Sequence, residues 1–128
     1  MVIIPKAAGN SSGEIELTIG IHSGAHYINT TAEIKSNNRK ILIQIDTIDN
    51  LFKELGLEII DFFKIDIEGW EFEALKGAVN SIRKIKFLVI ASYHTKDGTM
   101  LIIEFLKSHN FKIINDGEFT HAWNKNLN

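Results

Sequence analysis

Residues 59–77, IIDFFKIDIEGWEFEALKG, run from an apolar stretch through a knot of acids into a helix-period pattern without a break. Strands of a parallel sheet are buried on both faces, so Ile59, Ile60, Phe62, Phe63 and Ile65 are expected to form a strand covered on both sides. Asp66, Glu68 and Glu71 then stand beyond its carboxyl end, where open α/β sheets place their ligands. A helix is expected over residues 70–84, because Leu75, Ala78, Val79 and Ile82 recur on one face. Gly77 inside it costs about 1 kcal/mol relative to alanine, which implies close packing against a neighbour.

The flanks fill in an architecture. Val2, Ile3 and Ile4 run into Pro5 and read as the tail of a buried strand. Residues 7–13 (AAGNSSG) are turn-rich, and residues 14–21 alternate as a half-exposed strand. Residues 22–38 read as a loop or a loose strand pair, and residues 41–45 as another extended segment. Asp46-Thr47-Ile48-Asp49 offers N-cap residues for a short helix over residues 50–55, which Gly56 can end in a left-handed conformation. Residues 87–91 predict a second buried strand ending at Ser92-Tyr93-His94. A helix follows over residues 97–109, capped by Asp97 or Thr99. A hairpin over residues 111–114 and 118–123 turns at Asp116-Gly117. The order predicts one α/β domain over residues 1–128: an extended, loop-rich segment (1–45), then an α/β core (46–128) with a mainly parallel sheet and an antiparallel end.

Composition excludes several classes. The 128 residues carry a net charge of -2 with both signs interspersed, which argues against nucleic acid or an anionic membrane as a partner. Without cysteine there is no disulfide, thiolate metal site or thiol nucleophile. No apolar run approaches the ~20 residues of a membrane span and the start is no signal peptide, so a cytoplasmic protein is expected.

Each candidate residue has a functional and a structural reading. Asp66 at the strand end can take or orient a hydroxyl proton, or cap the following helix. Glu68 and Glu71 can contact a substrate, or stabilise the first helical turn by about 0.3 to 1 kcal/mol. The expected site holds no metal, although these three acids could also serve as oxygen ligands of a divalent cation. Lys64 is expected to pair with a nearby acid. Trp70 either packs or narrows a crevice, and His94 is either a second acid or base or a solvated loop histidine. His22 and His26 are four apart, but their surroundings are not helical, which argues against a shared metal.

The chain resembles the FkbM family of S-adenosylmethionine-dependent methyltransferases, whose hallmark runs roughly "tlD, spacer, iDflKiDvEGaEfevLkGa". Here Thr47-Ile48-Asp49 precedes residues 60–78, IDFFKIDIEGWEFEALKGA. Ala7-Ala8-Gly9, followed by Gly13 and residues 14–17, is similar to the family's segment after its third strand. The resemblance implies a partial Rossmann-like methyltransferase fold with an antiparallel final strand. It also implies methyl transfer from S-adenosylmethionine to an acceptor hydroxyl on a sugar or natural product. Asp66 and His94 would act in catalysis, Glu68, Trp70 and Glu71 would bind substrate, and Ala7 and Ala8 would border the cofactor.

Two departures qualify it. Where the family has an "E-x-H" pattern this chain has Ala91-Ser92-Tyr93-His94, so only His94 carries over. No G-x-G turn occurs among the nine glycines; in such folds that turn admits the cofactor, and a nearby acid holds its ribose. Both belong to the family's first two strands, ahead of the matching segments. A chain without them is expected to bind the cofactor poorly and to expose an apolar strand edge, and such edges invite pairing. A homodimer, pairing with a missing amino-terminal half, or residues 1–45 folding over that edge is therefore expected. The alternative to an enzyme is a non-enzymatic dimeric scaffold or partner subunit.

Overall fold

The computed structural model describes residues 1–19, the backbone of 26–28, and residues 39–94 and 97–127. β1 (Ala7–Ala8) runs parallel to the end of β4 (Arg39–Asp46), while β2 (Gly13–Ile19) pairs antiparallel with β4 on one side and β3 (His26–Ile28) on the other. This first sheet has the order β1-β4-β2-β3. Most of the stretch expected to be a loop or strand pair, residues 22–38, lies outside the described residues. Val2 and Ile3 belong to no strand and are 78% and 75% exposed, since no described strand pairs with them.

Thr47 caps α1 (Ile48–Glu54), its hydroxyl accepting from the Asn50 N–H at 3.1 Å, and Gly56 follows at φ 65°. The next elements are β5 (Ile60–Ile65), α2 (Glu71–Lys76), a 3-10 turn (Ile82–Lys84), β6 (Ile85–Ala91), α3 (Gly98–Ser108), β7 (Phe111–Asn115) and β8 (Phe119–Asn124). They build a second sheet of order β5-β6-β8-β7. Only β5 and β6 are parallel; β6–β8 and the expected β7–β8 hairpin are antiparallel. The fold is mixed α/β and mostly β, and the expectation of a mainly parallel sheet fails: within the second sheet only the β5–α2–β6 unit is parallel, and in the first only the two-residue β1 against β4.

One face of the second sheet carries the core, where Ile65, Leu88, Ile90 and Ala122 pack with Leu75, Ile82, Ile102 and Leu106. On the other face Phe62, Phe87 and Trp123 form a row with ring centroids 5.6 and 5.0 Å apart. Phe62 is 55% exposed and Trp123 38%. The expectation that β5 is buried on both sides therefore fails. Its apolar residues alternate between a covered and an uncovered face, and among the described residues nothing pairs with its outer edge. No described helix is long and apolar enough to cross a membrane.

The helix expected over residues 70–84 stops at Lys76, because Asp49 of α1 intercepts its continuation. The Asp49 N–H donates to the Gly77 carbonyl at 2.8 Å, and its carboxylate accepts from the Ser81 N–H (2.7 Å), the Ser81 hydroxyl (2.6 Å) and the Asn80 N–H (3.1 Å). Burial pushes the Asp49 carboxyl up, but the hydrogen bonds from Ser81 and Asn80 outweigh it and hold the group below its usual range. At α3, Asp97 takes the N-cap position without a side-chain cap bond. Thr99 does not cap either, since its hydroxyl donates to the Ser92 carbonyl at 2.5 Å.

Asp46 ties the amino-terminal segment to α1. It accepts from Asn50 (2.9 Å), Ser12 (2.7 Å), Lys6 (3.0 Å) and the Thr47 N–H (2.9 Å), and these bonds, led by Asn50 and Ser12, hold its carboxyl far below the usual range. A depressed carboxyl contributes stability above its unfolded value, and that stability is lost as pH falls toward the folded one. Stability should thus decline from about pH 4 downward, and Asp46→Asn should be less stable at pH 5 with a shallower acid limb. Urea melts at successive pH values check this. Asp49, held low by Ser81 and Asn80, and Asp116, held at about 2 chiefly by the Phe119 and Glu118 N–H groups, supply the acid dependence left in the variant. Equal acid limbs in the two proteins would contradict the assignment.

Candidate active site

Between β5 and α2 the chain turns through residues 66–69, with Glu68 at φ 55° and Gly69 at φ 98°. The left-handed conformation is free for glycine and costs a glutamate roughly 1 to 2 kcal/mol, so something must hold the turn. Glu71 does so. As the first residue of α2 it folds its side chain back beneath the turn, where Oε1 accepts from the Ile67 N–H at 3.0 Å and the Gly69 N–H at 3.3 Å. It is only 4% exposed.

The same oxygen lies 2.8 Å from His94 Nδ1. A carboxylate oxygen can only accept, so this contact puts a proton on Nδ1, and in the neutral ring Nε2 keeps the lone pair. The His94 side chain is 10% exposed, and Nε2 is buried without a hydrogen-bond partner. Its neighbour is Glu68 Oε2 at 3.5 Å, an ion pair only when the ring is protonated. Asp66 closes the cluster, and one ligand atom from each of Asp66, Glu68 and His94 falls within 4.8 Å of the others. Lys64 pairs with Asp66 at 2.9 Å, the partnership expected for it. Asp66 does not cap α2, whose N-cap position is Trp70.

Trp70 packs over Gly9: a Cβ placed on Gly9 would lie 3.4 Å from its indole Nε1, which is buried and has no hydrogen-bond partner. Ala7 and Ala8 form β1, opposite Ile45 and Asp46. Ala8 borders an apolar groove of about 240 Å³ with Ile4, Leu51, Phe63, Ile65 and Ile67, the last two flanking Asp66. A larger hollow of about 470 Å³, lined by Asp49, Lys53, Glu58 and Arg83 among others, includes none of the candidate residues.

Asp66, Glu68, Glu71 and His94 are thus brought together, with Trp70 following in the same turn and Ala8 bordering the groove beside β5. Sequence reasoning passed over Tyr93, whose half-exposed ring stands 4.2 Å from the His94 ring, centroid to centroid. An aromatic residue next to a strand-end histidine was the available signal.

Comparison with known proteins gives one family match, to the methyltransferase FkbM domain, over residues 3–113. No curated protein and no solved structure matches the chain.

Proposed function

The chain belongs to the FkbM methyltransferase domain family, and from that premise we propose a cytoplasmic enzyme that methylates an acceptor hydroxyl, on a sugar or natural product, at the carboxyl end of β5. The observation that carries this reading is the buried Glu71–His94 pair, with its bare Nε2 turned toward the carboxylate of Glu68. A hydroxyl lodged among Asp66, Glu68 and His94 would donate its proton to Nε2 as its oxygen attacks. Glu71, already bonded to Nδ1, would stabilise the imidazolium that results. Asp66 and Glu68 accept hydrogen bonds from the acceptor and fix its direction, and such positioning supplies several kcal/mol. Tyr93 offers a flat apolar surface at the mouth.

S-adenosylmethionine, when bound, supplies the methyl group. The residues present fit it only in part. The unpartnered Trp70 indole N–H beside Gly9 is a donor that a ligand could satisfy, whereas the G-x-G turn is missing from the sequence. The parallel β5–α2–β6 unit with antiparallel β8 beside it supports the partial Rossmann-like reading.

The open aromatic face and the unpaired β5 edge favour a second reading, a non-enzymatic scaffold in which another copy covers Phe62, Phe87 and Trp123. Calorimetry with S-adenosylmethionine, paired with light scattering, separates the two. Micromolar binding supports the enzyme. A dimer that takes up no cofactor at millimolar concentration supports the scaffold and overturns the enzyme reading.

A further inference from the structure

His94 Nε2 and Glu68 Oε2 face each other at 3.5 Å, two lone pairs in contact unless a positive charge lies between them. The imidazole is nine-tenths buried, and Nε2 has no hydrogen-bond partner. Glu71 grips the opposite ring nitrogen at 2.8 Å. A carboxylate on one nitrogen is the usual device for fixing a histidine whose other nitrogen holds a metal. Asp66 adds a third donor, and small rotations would close the 4.8 Å spread onto an ion with ligand distances of about 2 Å.

We propose that Asp66, Glu68 and His94 Nε2 bind a divalent first-row transition-metal ion, with Glu71 as a positioning residue. One imidazole and two carboxylates suit zinc, manganese or ferrous iron better than calcium or magnesium, which favour all-oxygen shells. Two carboxylates and a neutral imidazole balance the double charge. Lys64, now paired with Asp66, is 54% exposed and can swing into solvent as the ion enters. Three protein ligands leave positions open, where an acceptor hydroxyl would shed its proton to solvent more readily than in water. That last role rests on the methyl-transfer reading and would replace His94 as the proton acceptor, since one Nε2 lone pair holds either the ion or a proton; binding of the ion does not rest on it.

Titration of cobalt(II) into the metal-free protein, followed by its visible absorption and by calorimetry, tests the site. One equivalent should bind with the absorption of low-coordinate cobalt and be displaced by zinc. Asp66→Asn, Glu68→Gln and His94→Gln should each weaken binding by about ten-fold or more, and Glu71→Gln by about ten-fold. His121→Gln, at the other imidazole–carboxylate pair with Asp116, should leave binding unchanged. Glu68 is 46% exposed, so its variant folds and reports even if the buried ones do not. A saturable equivalent that survives both Glu68→Gln and His94→Gln, or none in the unaltered protein, overturns the proposal. Neither readout involves methyl transfer, so failure of the ion and failure of the enzyme reading are told apart.

Discussion

Gly77→Ala should lower stability by about 3 kcal/mol, even though alanine is the better helix former by about 1 kcal/mol. Gly77 closes α2 at φ -83° and ψ 4°, a conformation open to any residue, so no backbone strain enters. The obstacle is the new Cβ, which would overlap the Gly9 carbonyl oxygen and lie 3.1 Å from the Gly9 carbonyl carbon. Both partners are backbone and both are pinned. Gly9 donates to the Asp46 carbonyl at 2.9 Å, and the Gly77 carbonyl accepts from the Asp49 N–H at 2.8 Å. Relief would require parting β1 from α2, at the top of the range for overpacked sites. In a domain of this size the loss corresponds to a drop in melting temperature of about 10 °C. Gly9→Ala meets the end of the Ile45 side chain first, which can rotate away, so its cost should be nearer 1 kcal/mol. Thermal melts of the two variants give the order, and a Gly77→Ala protein as stable as the parent would refute the close approach of Gly77 to the Gly9 carbonyl.

Glu71→Ala should cost about 3 to 5 kcal/mol. One oxygen of this side chain serves the Ile67 N–H, the Gly69 N–H and His94 Nδ1, and truncation leaves all three without an acceptor in a part-buried place. Each orphaned donor costs about 1 to 3 kcal/mol. Release of Glu68 from its left-handed backbone gives back roughly 1 kcal/mol. Glu71→Gln keeps an accepting oxygen and should lose only about 1 to 2 kcal/mol. Urea unfolding of both variants checks the ranking. A harmless Glu71→Ala would mean that this carboxylate does not hold the turn.

What the sequence disclosed was local chemistry. Thr47 as a cap, Gly56 after α1, Asp116-Gly117 between β7 and β8, and acids beyond the end of β5 each follow from a residue and its immediate neighbours. Contacts between distant segments were hidden. α2 ends where it does because Asp49 arrives from another helix, and no periodicity within residues 70–84 reports that. The open face of β5 was hidden too: Phe62 and Ile65 are equally apolar, and only what packs against them decides which is exposed. Glu71 read as a helix-start or substrate acid. It turns inward because its partner His94, 23 residues on, waits beneath it.

Both the base and the metal ligand proposed for this site depend on which nitrogen of His94 carries the proton. Nitrogen-15 NMR of the histidine-labelled protein, at a pH where the imidazole is neutral, reads it directly. The predicted result is a protonated Nδ1, coupled to its own hydrogen and held by Glu71, with a pyridine-like Nε2; in Glu71→Ala the preference should vanish. A protonated Nε2 with a bare Nδ1 in the unaltered protein would contradict the Glu71–His94 bond and both roles that rest on it.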